Sequence, residues 1–288
     1  MKKFLLLIST ALIILGFLIL FAFLNYKDDK LHIVFCDVGQ GDAIFIRTSR
    51  EADILIDGGP DAKVLECLSS HMPFWDRSID LVIMTHPDAD HSTGLISVVE
   101  RYRIEKFYTQ AIPGKTDVYK RLEANLAKKQ LSAKYLHSGD RISDKEGFSM
   151  TTLWPSLEEI SKIDQNRTNI RINEISVIQL LNYGEFSVLL TGDAGYQVMD
   201  QIADPARSIN ILKVPHHGSK TGMSDNFLSI VNPEVAVISS GEGNSYGHPA
   251  KESIALLENQ GSKILRTDKI GDIEIISDGK IYYFKDKN

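Results

Sequence analysis

Cysteine is scarce in this sequence, with two residues in a chain of 288. Cys36 and Cys67 do not form a Cys-x-x-Cys pair, so a zinc ribbon and a thioredoxin-type redox site are excluded. A secreted scaffold held together by many disulfides is excluded as well. Cys36 lies in an apolar run and is predicted to be a small buried hydrophobic side chain. A bridge from Cys36 to Cys67 is the less favoured alternative.

An excess of positive charge is also missing. The formal net charge is -6, and the first 30 residues hold four basic and two acidic side chains, so the rest of the chain has a net charge of -8. Proteins that grip nucleic acid regardless of its sequence usually carry a basic face. The composition therefore disfavours a long DNA-binding groove, while a narrow one, or a local positive site made by bound metal ions, stays open.

Linkers rich in proline, glycine or serine are absent, and so are repeats and low-complexity stretches. Hydrophobic residues make up 43% of the chain, which is enough for an ordinary globular core. We therefore expect one domain over residues 31–288, preceded by a distinct N-terminal segment over residues 1–30.

One long apolar run, residues 4–24, forms most of that segment. A helix of this length spans the ~30 Å hydrocarbon core of a membrane. Lys2 and Lys3 precede the run, and no small-x-small cleavage pattern follows it. The pattern predicts an uncleaved signal anchor with the main domain outside the cell membrane. A cleaved signal and a secreted protein are the alternative.

Short runs rich in Ile and Val, bounded by Gly, Asp or Pro, predict strands. These runs are 31–35, 43–47, 54–56, 81–84, 176–181, 186–190, 209–214, 235–239, 263–266 and 272–277. Helical periodicity appears over 95–102, 117–130 and 251–260. Many strands with helices between them predict an α/β (α+β) architecture of four layers, with two sheets between outer helices.

Four potential metal ligands lie within six residues, in the segment His86-Pro87-Asp88-Ala89-Asp90-His91. Because side chains alternate along an extended loop, His86, Asp88 and Asp90 are expected on one side. Gathering carboxylates and imidazoles costs repulsion and desolvation, which a divalent cation removes. The segment favours a metal site over the alternative, a hydrated loop with a helix cap.

Two later strand ends supply further ligands. The predicted strand 186–190 is followed by Thr191-Gly192-Asp193, and a carboxylate there can bridge two metals about 3.5–4 Å apart. The predicted strand 209–214 is followed by His216 and His217. Adjacent side chains point to different sides, so one of these two histidines is expected to bind metal. Together the three strand ends predict a site for two metals.

In this order the motifs resemble those of the metallo-β-lactamase fold superfamily. More narrowly, they are similar to the hydrolase domain of ComEC-type competence proteins and its stand-alone relatives. The segments that carry the resemblance are DVGQGDA (37–43), DGG (57–59), THPDADH (85–91), LTGD (190–193), KVPHHGS (213–219) and YGHP (246–249). Secreted phosphorylcholine esterases look similar at several of the same places. The resemblance covers roughly residues 31–278 and implies an αββα sandwich with the site at one edge.

The resemblance also implies a ligand set. It implies that His86 and Asp88 hold one metal. It also implies that Asp90, His91 and His217 hold the other, with the carboxylate of Asp193 as the bridge. These ions are expected to be Mn²⁺ or Zn²⁺, with Mg²⁺ as a further option.

Other residues receive supporting roles from the same resemblance. Asp57 is expected to orient a ligand histidine, with a Gly-Gly turn as its alternative. Gln40 and Asp42 are expected to line the floor of the site, or to form a tight turn. The same resemblance makes His216 and His248 candidates for contacting the substrate or donating a proton. Beyond the resemblance, Lys213, Lys220 and Tyr246 are candidates for contacting the substrate, and Lys213, Lys220 or His248 is expected to assist the leaving group.

Two departures from the superfamily pattern narrow the prediction. Asp88 stands where histidine is common, and an additional ligand histidine is missing. His137, the one histidine between His91 and His216, is expected in a turn after a strand rather than at the metals. Oxygen-rich ligands shift metal preference from zinc toward manganese or magnesium.

We therefore expect a metal-dependent phosphodiesterase or nuclease in which Asp90 orients or deprotonates the attacking water. Single-stranded DNA and a choline-type diester of the cell envelope are the two substrates considered. The aspartate-rich ligands make lactam hydrolysis the weaker option. A non-catalytic, membrane-anchored binding domain that keeps the fold is the alternative of a different class.

Overall fold

The computed structural model describes residues 2–26, 28–165 and 171–285. In those residues the chain forms nine α-helices and fifteen strands. The helices are α1 (Lys2–Tyr26), α2 (Val64–His71), α3 (Ala89–Arg101), α4 (Asp117–Lys128), α5 (Leu157–Gln165), α6 (Tyr196–Gln201), α7 (Asp225–Val231), α8 (Lys251–Gln260) and α9 (Thr267–Ile270).

The first eight strands are β1 (Leu31–Phe35), β2 (Ile44–Arg47), β3 (Asp53–Ile56), β4 (Ser78–Met84), β5 (Arg103–Thr109), β6 (Ala133–Tyr135), β7 (Arg141–Ser143) and β8 (Phe148–Trp154). The others are β9 (Ile178–Tyr183), β10 (Phe186–Leu190), β11 (Ile211–Lys213), β12 (Val235–Ile238), β13 (Lys263–Arg266), β14 (Ile273–Ser277) and β15 (Tyr282–Phe284). All ten predicted strands and the three predicted helices are present, with ends shifted by a few residues.

The strands form two sheets. One has the order β15-β14-β1-β2-β3-β4-β5-β6, and the other has the order β13-β12-β11-β10-β9-β8-β7. In the first sheet β3 runs parallel to β4, and in the second β10 runs parallel to β11. The carboxyl ends of each of these pairs therefore meet at one edge of their sheet.

Alternation of side chains along the strands builds a four-layer structure. Ile33 and Ile56 of the first sheet share a buried core with Val188 and Ile211 of the second, so this core fills the space between the sheets. A second core joins the outer face of the first sheet to α2, α3 and α4, and a third joins the outer face of the second sheet to α6, α7 and α8. The expected αββα sandwich is confirmed.

The two cysteines depart from expectation. Cys36 and Cys67 are both buried, but they form a disulfide with their Cα atoms 5.8 Å apart, so the prediction that Cys36 is a free buried side chain was wrong. The bridge arises because α2, which periodicity did not reveal, packs on the first sheet and brings Cys67 beside the end of β1.

The N-terminal helix α1 is long and apolar enough to cross a membrane. Its window Lys3–Leu20 has a mean hydropathy of 2.6, and none of that window is buried against the rest of the described chain. Length and composition are the basis of this assignment, and a signal sequence would meet the same criteria. The uncleaved anchor therefore stays a prediction.

Candidate metal centre

Ends of parallel strands from both sheets bring the predicted ligands together. Asp57 and His86 follow β3 and β4, while Asp193 and His217 follow β10 and β11. Helix α3 begins at Ala89, before the helical periodicity that starts at residue 95, and carries Asp90 in its first turn. The two sheets thus supply side chains to one space between their edges.

Four side chains form the centre of this cluster. One ligand atom from each of Asp90, His91, Asp193 and His217 lies within 4.8 Å of the others. The carboxylate of Asp193 lies between two imidazoles, with Oδ1 3.3 Å from His91 Nε2 and Oδ2 3.4 Å from His217 Nε2. Asp90 Oδ2 is 3.6 Å from His217 Nε2. The positions assigned to the second metal and to the bridge are therefore adjacent.

The residues assigned to the first metal lie beside this group. The rings of His86 and His91 are 4.1 Å apart between centroids, and His86 Nε2 is 3.7 Å from Asp88 Oδ2. Burial, together with the nearby charge of His91, lowers the pKa of His86 to about 3, so its imidazole is neutral at physiological pH. Neutral imidazole is the form that binds metals.

The imidazoles of the cluster stabilise the charged form of its carboxylates. Burial alone would raise the pKa of Asp193, but the neighbouring His217 and His91 outweigh it and hold that pKa well below its usual range. Burial is likewise outweighed at Asp90, whose pKa is lowered by His217 and His91. Both carboxylates are therefore anionic, as metal ligands need to be.

The polar atoms of the cluster fit a bound cation. The Nε2 atoms of His86, His91 and His217 and the Oδ1 atom of Asp193 are buried and make no well-directed hydrogen bond. Leaving such atoms unsatisfied costs about 1–3 kcal/mol each. Three imidazole nitrogens and a carboxylate oxygen turned toward one space are the donor set that a divalent transition metal accepts.

Asp57 lies behind the cluster. It is fully buried and accepts three hydrogen bonds: Oδ1 from the Thr85 backbone N–H at 2.7 Å, and Oδ2 from Thr85 Oγ1 at 2.6 Å and from His91 Nδ1 at 2.7 Å. The last bond fixes the ring of His91, so that its Nε2 faces the cluster. Asp57 therefore links the end of β3 both to β4 and to a predicted ligand.

A second carboxylate plays a similar part for His217. Asp42 is buried, and its Oδ1 lies 3.5 Å from His217 Nδ1, which also contacts the carbonyl oxygen of Ser239 at 3.0 Å. The other oxygen of Asp42 lies 2.6 Å from the ammonium of Lys213. Asp42 thus lies beneath the cluster, between His217 and Lys213.

Lys213 does not face a substrate. Its side chain is fully buried, and its ammonium contacts Asp42 and the carbonyl oxygen of Val214 at 3.1 Å. The expectation that Lys213 assists a leaving group is therefore corrected, since β11 directs the side chain under the cluster rather than into the opening. Its charge instead balances that of Asp42.

The remaining candidates differ in position. His216 is partly exposed, with Nε2 3.8 Å from Asp193 Oδ2, and its ring is 5.6 Å from that of His248. Tyr246 is 68% exposed and stacks on His248 with centroids 5.9 Å apart. Lys220 is exposed in the turn after Ser219, and no contact ties its side chain to the cluster in the structure as described.

Two residues lie at the margin of the site or outside it. Gln40 accepts a hydrogen bond from the backbone N–H of Gly241 at 3.3 Å, so it ties two loops together at the edge. His137 lies in the turn between β6 and β7, where its Nδ1 is 3.3 Å from Asp140 Oδ2. It belongs to none of the potential metal-ligand groups of the described residues.

Beside the cluster is a cavity of about 360 Å³ that reaches Asp193 and His216. Its other walls were not foreseen from the sequence; they are Arg171, Asn173, Glu174, Gly195, Tyr196, Gln197 and Thr221. These residues come from a 3₁₀ turn at Ile172–Ile175, the start of α6 and the loop after β11. None forms a recognisable motif, so only the fold reveals that they line one opening.

Comparison with known proteins places this geometry in context. A family model described as "Beta-lactamase superfamily domain" matches residues 52–215. The chain is 25% identical over 264 residues to ComE operon protein 3 of Bacillus subtilis, covering 83% of this chain and 32% of that protein. It is 29% identical over 248 residues to Recombination protein 2 of Haemophilus influenzae, covering 83% and 28%. The chain thus spans about a third of the length of these relatives.

A solved structure agrees at the level of the fold. The metallo-β-lactamase fold protein YhfI from Bacillus subtilis superposes with a TM-score of 0.56 at 12% identity, covering 88% of this chain and 99% of that protein.

Proposed function

The chain belongs to the β-lactamase superfamily domain family, and from this premise we propose that it is a binuclear metal-dependent phosphodiesterase acting outside the cytoplasmic membrane. The fold and the buried ligand cluster support a metal-dependent hydrolase. The observation that carries the proposal is the set of buried imidazole and carboxylate atoms that face one another without hydrogen-bond partners.

The proposed ligands are those that the resemblance implies, and the cluster of Asp90, His91, Asp193 and His217 supports them. His86 and Asp88 would hold one ion, Asp90, His91 and His217 would hold the other, and Asp193 would be shared between them. Mn²⁺ and Zn²⁺ suit this mixed set of nitrogen and oxygen donors, and Mg²⁺ suits its carboxylates. Two such ions would supply hydroxide near neutral pH and neutralise the oxygens of a phosphoryl group.

The residues of the chain itself orient the reactants. Asp90 is anionic and sits at the start of α3, where it can accept a proton from the attacking water. His216 and His248 lie on the open side, half-exposed, and are the groups placed to protonate a leaving alkoxide. Asp57 and Asp42 contact His91 and His217 from behind and so orient the two rings toward the cluster.

Two observations support a phosphodiester as the substrate. The proposed ligand set contains three carboxylates. Compared with the all-histidine ligands of a zinc site, carboxylates are better suited to the metals that act on phosphoryl groups. One relative is named a recombination protein, which favours DNA among the diesters, and we propose single-stranded DNA as its form. The acidic net charge of the chain limits the contact with DNA to a short stretch near the site.

A second substrate is favoured by the neighbouring cavity. Glu174 and Tyr196 line its wall, and a carboxylate beside an aromatic ring suits a quaternary ammonium group. A choline-type diester of the cell envelope is therefore the alternative substrate for the same site. The alternative of a non-catalytic binding domain predicts no need for stoichiometric metal.

The test is hydrolysis of bis-nitrophenyl phosphate by the full chain with added Mn²⁺ or Zn²⁺. We expect Asp90→Ala and His91→Ala to lower the rate by about 100-fold or more, because each removes a ligand of the same ion. His137→Ala is the matched control, since that histidine lies outside the cluster, and its rate should match the unaltered chain. Activity that survives both ligand substitutions would contradict the proposal.

The substrate class needs a second assay. Single-stranded oligonucleotides and a glycerophosphocholine diester are offered to the same preparations. Cleavage of the oligonucleotide favours the nuclease. Cleavage of the choline diester that is lost in Glu174→Gln favours the alternative.

We also propose that residues 31–288 form one domain anchored by residues 4–24.

A further inference from the structure

The edge of the first sheet opposite the metal cluster lies beside the exit of the apolar helix. Ile33, Ile46, Ile54 and Leu81 are neighbours across β1 to β4, and β1, β3 and β4 run in the same direction. The starts of these strands therefore share one edge, whereas Asp57 and His86 follow their ends. The first residues after the helix lead directly to this edge, because β1 begins at Leu31.

The loop between α2 and β4 is at the same place. Asp28, the first described residue after the helix, lines a cavity of about 410 Å³ together with Met72 and Pro73. Phe74 and Trp75 follow immediately, with exposed fractions of 72% and 42%, and their rings meet edge to face at 4.8 Å. Two large aromatic side chains are thus presented to the surroundings close to the helix exit.

A second part of the chain confirms how close this edge is to the helix. Lys30 donates a hydrogen bond to the hydroxyl of Tyr283 at 3.1 Å, and its ammonium lies over the ring of that tyrosine. Tyr283 is 43% exposed, and Ile281, in the turn before it, is 66% exposed. Apolar and aromatic surface therefore lies on two sides of the segment that emerges from the helix.

Basic side chains accompany the aromatic pair, although the chain as a whole is acidic. Arg77, Arg101, Arg103 and Lys129 are exposed and line one cavity of about 360 Å³ beside the starts of β4 and β5. The backbone N–H of Arg103 donates to the carbonyl oxygen of Arg77 at 2.8 Å, which places both at the strand starts. Four cations around one recess suit a phosphate-bearing head group.

We propose that this anchor-side edge, formed by Phe74, Trp75, Arg77, Arg101, Arg103 and Lys129, rests on the membrane and binds anionic phospholipid head groups. Aromatic side chains favour the boundary between head groups and acyl chains. Basic side chains near an anionic lipid surface are attracted to it, and their attractions add. The inference relies on the proposed insertion of residues 4–24, since that insertion brings the edge to the lipid.

The contact has a consequence for the proposed active site. Strand β4 has seven residues between this edge and the ligand segment, which at about 3.3 Å per residue corresponds to roughly 20 Å. The metal cluster is then held about 20 Å above the lipid, at the edge of the sheet opposite the membrane contact. A substrate in the surrounding space reaches it without passing between the domain and the bilayer.

The experiment uses the intrinsic fluorescence of the full chain in vesicles of phosphatidylcholine and phosphatidylglycerol. The chain has two tryptophans, so Trp154→Phe leaves Trp75 as the one reporter and Trp75→Phe leaves the buried Trp154 as its matched control. With brominated acyl chains, we expect the emission of Trp75 to fall about twofold, because it lies at the lipid boundary, and that of Trp154 to stay unchanged. The difference between the unaltered chain and Trp75→Phe gives the same information if Trp154→Phe folds poorly.

The outcomes separate the inference from the anchor on which it relies. A chain that does not float with the vesicles overturns both. A chain that floats while Trp75 is not quenched keeps the anchor and overturns the membrane contact. Replacing Arg77, Arg101 and Arg103 by glutamine should reduce the quenching that phosphatidylglycerol promotes. If a single-stranded oligonucleotide rather than lipid changes the emission of Trp75, the edge is a nucleic-acid surface and the inference is wrong.

Discussion

Asp57→Asn tests most directly whether Asp57 acts by orienting the proposed ligand His91, because the substitution leaves His91 itself unchanged. The side chain is fully buried and accepts hydrogen bonds from the Thr85 backbone, from Thr85 Oγ1 and from His91 Nδ1. Asparagine keeps the shape and tolerates the positive φ of 57° at this position. It has only one acceptor oxygen, so its amide opposes at least one of these donors.

The expected magnitude follows from this geometry. Losing the partner that orients a ligand histidine typically weakens metal binding by about 10–100-fold, or about 1.4–2.7 kcal/mol. Asp57→Ala has a larger effect on folding, because it leaves three buried donors unsatisfied at about 1–3 kcal/mol each. The asparagine variant should therefore fold while binding Mn²⁺ more weakly, and the alanine variant should also unfold more easily.

The assay is a Mn²⁺ titration by calorimetry, with circular dichroism to verify the fold. Asp76→Asn is the matched control, because Asp76 accepts two hydrogen bonds from Ser78 at the opposite edge of the same sheet. That control should alter stability slightly and leave the metal affinity unchanged. Equal Mn²⁺ affinity in Asp57→Asn and the unaltered chain would refute the claim that Asp57 acts through His91.

Three further predictions concern stability. Gly94→Ala should lower the melting temperature, because its Cβ would lie 1.8 Å from the carbonyl oxygen of Gly58, and overpacking of this kind costs about 1–3 kcal/mol or more. Reducing the Cys36–Cys67 disulfide should cost about 3–4 kcal/mol in denaturant unfolding, given a closed loop with a sequence separation of 31; an unchanged midpoint would contradict this. Burial opposes protonation of His71, but its carboxylate partners raise its pKa to about 9. The protonated side chain therefore adds at most about 3 kcal/mol to the free energy of unfolding below pH 6.5, and this stabilisation is lost as the pH rises through 9. His71→Gln should flatten that alkaline decline in a melting-temperature profile.

Much of the fold follows from local patterns. Strands β1 to β4 and β9 to β14 carry short apolar runs, which is why alternation or continuous hydrophobicity revealed them. Strand β5 escaped prediction because Arg103, Glu105 and Lys106 give it an exposed, charged character, although Phe107 is buried. The helices α2 and α6 are too short, at eight and six residues, for periodicity to stand out.

Some residues of the candidate site were likewise predictable from local patterns, and others were not. His86, Asp90 and His91 lie in one dense segment, and the ends of two further strands supply Asp193 and His217, so the cluster was predictable from sequence. The burial of Lys213 was not, because β11 is central to its sheet and its inward side depends on packing with Asp42. The cavity beside the cluster joins three loops that are distant in sequence, and no local pattern connects them.

The central claim is that the cluster of Asp90, His91, Asp193 and His217, with His86 and Asp88 beside it, binds two metal ions that the protein uses to cleave a phosphodiester. The most direct test is the metal content of the full chain after equilibration with Mn²⁺, measured by mass spectrometry in parallel with the rate on bis-nitrophenyl phosphate. We predict two ions per chain, with both the second ion and the activity lost in Asp193→Ala, because Asp193 contacts His91 and His217 and is the proposed bridge to the other ion. A chain that hydrolyses the diester at an unchanged rate without stoichiometric metal would contradict the account.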